Sequence, residues 1–190
     1  MTYPTIAGRA RTGSATRSGS PFLGIGLIVI AGLMAILQDA FREGEASAVS
    51  KVLELFIPGS VAVNNSTVIY GLGKSAPFGL LITTQCSTLV LWVPLLVLAG
   101  ILLLIGRTQL QKTLAGLGVA MAMTAAANCV RFLLIALAQQ AWGMQGFDVV
   151  HHWFGSILVI IVMAAAVGVL LVISSRKRTR RRNKRPAASR

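Results

Sequence analysis

The sequence predicts an all-α membrane protein: a four-transmembrane-helix bundle with a small extracytoplasmic cap made of an amphipathic helix and short extended segments. Three observations predict it. Hydrophobic residues make up 55% of the 190 positions and the mean hydropathy is +0.74, with several apolar runs long enough to cross a hydrocarbon core. The longest segment between those runs, 39–85, is punctuated by Gly and Pro and carries four of the five acidic residues. Positive charge is concentrated at the ends: of 18 Lys and Arg residues, nine lie between Arg176 and Arg190 and three more, Arg9, Arg11 and Arg17, precede the first apolar run. The net charge of +13 therefore sits mostly in two tails. Basic tails flanking membrane spans are read as anchors against anionic lipid on the cytoplasmic side, and no nucleic-acid partner is expected.

Residues 1–20 are polar, with no apolar periodicity, and are expected to be a disordered cytoplasmic tail. The membrane domain covers 21–173. Its first span, about 21–37, reaches roughly 25 Å, a marginal crossing. A basic start, an apolar run and Ala46-Ser47-Ala48 also fit a signal peptide with its cleavage site. That site lies well beyond the apolar run, with Asp39, Arg42, Glu43 and Glu45 between, so an uncleaved first helix is the preferred reading.

The cap is expected over about 39–85. Phe41, Val49, Val52, Leu53 and Phe56 fall near helical spacing, which predicts an amphipathic helix ending at Pro58-Gly59. Val61–Val63, an Asn64-Asn65 turn, Thr67–Tyr70 and Phe78–Thr84 are short and β-prone, which predicts a small extended or hairpin-like cap. The remaining spans are placed at about 87–105, 114–138 and 153–173. The third is rich in alanine and glycine, which lets neighbouring backbones approach, and is expected to be the central helix. A short basic turn with Arg107 and Lys112 joins the second and third. A short polar loop, Gln139–Val150, joins the third and fourth, with Trp142 and Phe147 at interfacial height, and 174–190 is a basic cytoplasmic tail. With all basic segments inside, both termini are cytoplasmic and the acidic cap faces outward from a prokaryotic plasma membrane.

Arg131 lies inside an apolar run, where a guanidinium costs roughly 2.5 to 3.5 kcal/mol on insertion scales and needs a partner or an aqueous pocket. In the topology above, Cys86 sits at the outer mouth of the second span, Arg131 in the outer third of the third, and His151 opens the fourth. Residues three apart share a helix face, so Asn128 accompanies Arg131, whereas Cys129 points away and is read as packing. Gly155, four residues after His151, lets a backbone or a substrate approach the imidazole. A thiol, an imidazole and a guanidinium form an acyl-transfer set: cysteine attacks a carbonyl, histidine moves the proton to the leaving amine, and arginine stabilises the thiolate or the oxyanion.

Cys86-Ser87 at the start of one span, Asn128-x-x-Arg131 within a later one and His151-x-x-x-Gly155 at the start of the last resemble, in that order and at those depths, the exosortase/archaeosortase membrane transpeptidases. The Pro58-Gly59 step and the extended segment before the cysteine add to the likeness, which covers residues 40–172. The resemblance implies that Cys86 is the nucleophile and that Arg131 and His151 are the other essential residues. The reaction it implies is cleavage of a C-terminal sorting signal, with transfer of the exported protein to an amine acceptor. The substrates it implies are membrane-anchored proteins bearing a C-terminal motif, a transmembrane helix and a basic cluster. No cofactor or metal is expected. Thr88 stands where many members have glycine, and four spans are fewer than many members have.

Duller readings exist for each residue. Arg131 can pair with Asp148 in a small non-enzymatic scaffold or assembly subunit; Cys86, His151 and His152 can bind a metal; Cys86 and Cys129 can form a disulfide. Two isolated cysteines with no C-x-x-C spacing argue against a redox dithiol.

Overall fold

A computed structural model describes residues 21–63, 66–72, 77–106 and 108–175. The expected N-terminal tail, residues 176–190 of the C-terminal one, the Asn64-Asn65 turn and Arg107 lie outside the described residues. The chain is mostly helical: α1 (Pro21–Ile36), α2 (Gln38–Phe56), α3 (Leu89–Leu104), α4 (Leu110–Val149) and α5 (Gly155–Ser175), with a 3₁₀ turn at Thr84–Cys86 and a π-helical turn at Val150–Phe154. The expected extended segments pair into one antiparallel sheet, β1 (Val61–Val63), β2 (Thr67–Tyr70) and β3 (Phe78–Leu81), in the order β1-β2-β3. Val61 faces Ile69, and Tyr70 faces Phe78.

By length and apolarity, the continuous helical stretch Leu110–Ser175 is sufficient to cross a membrane, and α1 and α2, bent by 79° at their junction, pass as a second candidate. The stretch Leu110–Ser175 is not one rod. Gly143 adopts φ 64°, ψ −148°, a conformation essentially reserved for glycine, and the chain reverses there so that α4 and α5 pack side by side. A Cβ on Gly116, near the start of α4, would lie 3.3 Å from Ile173 and from the Leu170 carbonyl, near the end of α5. The expected loop Gln139–Val150 is therefore corrected to helix on both sides of a one-residue break. Near a membrane surface, a helix keeps its backbone groups hydrogen-bonded where a loop would leave them open.

The helices form two antiparallel pairs. In the first, α1 lies on α3 so closely that a Cβ on Gly24 would be 2.8 Å from the Gly100 carbonyl. Ala31, Leu95, Ala99, Ala120, Ala166 and Leu170 from both pairs close a common apolar core. A second core joins the cap to the far end of α4, where Val49, Leu53, Val68 and Tyr70 pack with Phe132 and Ile135. The amphipathic helix thus ends as expected, at the Pro58-Gly59 step, with Val49 and Leu53 inward, but Phe56 is exposed. Phe147, expected at interfacial height, is partly buried and packs against Phe78 of the cap, with ring centroids 5.8 Å apart. Trp142 remains exposed. The tripeptide Ala46-Ser47-Ala48 lies inside α2, with Ala46 buried.

Candidate active site

Cys86 is the last residue of the 3₁₀ turn that carries the chain from β3 into α3, and it is 7% exposed. The turn is fixed by its own backbone, since the Cys86 and Ser87 N–H groups both donate to the Thr83 carbonyl, at 3.0 and 3.1 Å. Arg131 projects from α4, also 7% exposed, and its Nη2 lies 3.9 Å from Cys86 Sγ. Among the described residues no carboxylate comes within ion-pair distance of Arg131, so the pairing with Asp148 is not formed. The sulfur is the hydrogen-bond partner of this buried guanidinium, whose Nε is left without one.

His151 occupies the π-helical turn that leads directly into α5. Its ring stacks on Phe147 at 5.2 Å and meets His152 edge-on at 5.1 Å. Its Nδ1 is buried and has no hydrogen-bond partner. Burial first, then the Arg131 and His152 charges, hold the imidazole below its usual pKa, against a smaller opposing pull from Asp148. His152 instead turns its Nδ1 to the Asp148 carbonyl, at 3.1 Å. Cys86, Arg131, His151 and His152 together line one cavity of about 320 Å³, with Gln85 and Ser156 also on its wall. The cavity thus brings together the three residues expected to converge, although no hydrogen bond joins His151 to Cys86.

Gly155 sits where expected, but its neighbour is different. A Cβ there would fall 2.6 Å from Arg131 Nε and 3.1 Å from the Val150 carbonyl. The space given up by the missing side chain is filled by the stem of Arg131 rather than kept open for the imidazole. Behind that stem lies a small cavity of about 140 Å³ walled by Leu134, Val150, Phe154 and Leu158.

Asn128, one turn before Arg131, is 2% exposed and faces the same way, as helix phase requires. Its Nδ2 donates to the Cys86 carbonyl at 2.9 Å, to Thr88 Oγ1 at 3.0 Å and to Glu45 Oε1 at 2.9 Å. Glu45 was read from the sequence only as one of the charges of the cap. In the structure its carboxylate accepts hydrogen bonds from Ser87 Oγ at 2.6 Å, the Thr88 N–H at 2.9 Å, Thr88 Oγ1 and Asn128. Both thiols are free, and Cys129 lines a separate apolar cavity with Phe41, Trp92 and Ala125. Among the described residues no three His, Cys, Asp or Glu side chains converge to hold a metal ion.

The fold and the site define a mostly helical protein in which a buried thiol, a guanidinium and an imidazole share one cavity where long apolar helices meet a small sheet. The family model of transmembrane exosortase (Exosortase_EpsH) matches residues 21–168, and the chain belongs to that family. It is therefore a membrane protein. No curated protein and no solved structure matches the chain significantly.

Proposed function

We propose that this chain is a cysteine-dependent membrane transpeptidase that cleaves the C-terminal sorting signal of exported proteins and passes them to an amine acceptor. The observation that carries the reading is the placement of Arg131 Nη2 3.9 Å from Cys86 Sγ, in a cavity that His151 also lines. Cys86 gives its proton to His151, and its sulfur attacks the scissile carbonyl carbon. Arg131 faces the negative charge as it moves from sulfur to carbonyl oxygen, a class of contact worth about 3 to 4 kcal/mol in other acyl-transfer sites. Collapse of the tetrahedral intermediate breaks the C–N bond, the leaving amine takes the proton from His151, and the acyl group remains on Cys86 as a thioester. An incoming amine then loses a proton to His151 and attacks the thioester carbon; the C–S bond breaks as the new amide forms, and His151 returns the proton to the sulfur. An imidazole held below its usual range is neutral at physiological pH and able to take the first proton.

In this reading α1, α3, the first part of α4, and α5 are four spans, with 1–20 and 174–190 cytoplasmic and the cap outside. Substrates reach the cavity from the outer leaflet, each bearing its motif, transmembrane helix and basic cluster. The test is intact-protein mass spectrometry after coexpression with membrane-anchored candidates, comparing wild type with Cys86→Ala, Arg131→Ala and His151→Ala. The expected result is a Cys86 thioester adduct, or loss of a substrate's C-terminal helix, absent in all three variants although each is inserted. Processing by Cys86→Ala equal to wild type overturns the reading and leaves a scaffold.

A further inference from the structure

We infer that Glu45 is a positioning residue that sets the nucleophile against Arg131 by its reach rather than by its charge, an inference that rests on the assignment of Cys86 as nucleophile. Glu45 stands on α2 and its four donors stand elsewhere: Ser87 and Thr88 on the turn after Cys86, and Asn128 on α4. Asn128 in turn holds the Cys86 carbonyl. The peptide on each side of the nucleophile is therefore gripped: Thr83 holds the Cys86 N–H, and the Glu45–Asn128 clamp holds the Cys86 carbonyl and the two residues that follow.

The side chain of Cys86 has one torsion between its backbone and its sulfur. Once that backbone is held, the Sγ position relative to α4 is set to within a choice of rotamers. The same α4 turn that supplies Asn128 supplies Arg131, so the clamp references the sulfur to the helix that carries its guanidinium. Thr88 belongs to the clamp, because its hydroxyl and its N–H both meet Glu45 Oε1 and its Oγ1 also receives Asn128. Thr88 is thus a working part of the site.

No basic side chain comes within ion-pair distance of Glu45 among the described residues, so neutral donors satisfy its carboxylate. Three of them converge on Oε1. Glutamine reproduces that arrangement, keeping its carbonyl oxygen at the Oε1 position and donating its amide to Ser87 Oγ, which as a hydroxyl also accepts. Aspartate keeps the charge and loses a methylene of reach.

The experiment uses the full chain in lipid nanodiscs with Cys129→Ala, and measures Cys86 alkylation by anionic iodoacetate and by neutral iodoacetamide. The rate ratio of the two reagents reports a positive charge beside the sulfur, with Arg131→Ala giving the baseline. Glu45→Ala and Glu45→Asp are expected to lower the ratio about threefold or more towards that baseline, and Glu45→Gln to hold it at or above wild type. Simple loosening of the fold raises both rates together and leaves the ratio high. The inference is overturned if Glu45→Asp keeps the wild-type ratio, or if Glu45→Gln falls as far as Glu45→Asp. If Glu45→Ala is not recovered in the membrane, the aspartate and glutamine variants decide alone. Processing is scored separately: if Cys86→Ala still processes substrate the transpeptidase reading fails, whereas the alkylation ratio still decides the clamp.

Discussion

Arg131 is held from one side by the sulfur of Cys86 and from the other by the empty position at Gly155. A methyl group at Gly155 has to displace Nε, and a misplacement of about 1 Å in a site of this kind costs on the order of 100-fold in rate. Gly155→Ala is therefore expected to insert normally and to lose processing by at least an order of magnitude, read as the initial rate of substrate cleavage in membranes. His151 yields a second expectation. Its imidazole, held below the usual value of 6.5, binds fewer protons in the folded chain than in the unfolded one. Its contribution to stability is full above that value and is lost as pH falls through it towards the folded pKa. Thermal unfolding in detergent should show a lower midpoint at pH 5.5 than at pH 7.5, and His151→Gln should narrow the gap. The thiol, the guanidinium and the imidazole were legible in the sequence because each is a rare residue type, Arg131 inside an apolar run and Cys86 and His151 at the ends of others. Glu45 was not, because its partners Ser87, Thr88 and Asn128 lie 42 to 83 residues away and a carboxylate in an acidic segment looks like solvated charge.

At the level of elements, the close pair α1 and α3 and the hairpin α4 and α5 make opposite demands on glycine. Gly24 and Gly100 face each other's backbone, whereas Gly26 and Gly32 on the same helix meet nothing within 4 Å. Gly100→Val is expected to destabilise by about 1 to 3 kcal/mol through overpacking, and Gly32→Ala to change little; unfolding by denaturant in mixed micelles separates the two. Gly143 is needed for its backbone, so Gly143→Ala should cost about 1 to 3 kcal/mol in the same assay although no atom lies in its way. The helices and strands themselves were readable from periodicity and from Gly and Pro punctuation. A reversal between Gln139 and Val150 was readable, but its confinement to Gly143 was not, since polarity suggested a loop although Gln139, Gln140 and Met144 are good helix formers. Spacing suggested a hairpin-like cap but could not show the three-stranded sheet or its register, because register is set by the apolar face the strands share with α2 and α4.

For the molecule as a whole, the two cores divide the work: one joins the helices to each other and the other joins the cap to α4, with Cys86 counted in the second. The four-span reading expects a reporter that is active only outside the cytoplasm to work when fused after Leu72 and to fail when fused after Arg190; equal activity at both sites overturns it. One arrangement bears on how the protein is made. The first helix finds its main partner in α3 rather than in the helix that follows it, and the whole cap is threaded between the two. On the four-span reading, α1 enters the lipid before the surface that covers Gly24 has been synthesised, and the cap emerges between the two. Closing so large a loop adds little entropy beyond a shorter one, but it makes the pairing slow. Docking of α3 covers Gly24, and Cys86, placed just ahead of α3, is carried with it; its final position also needs Asn128 and Arg131, which lie further along the chain.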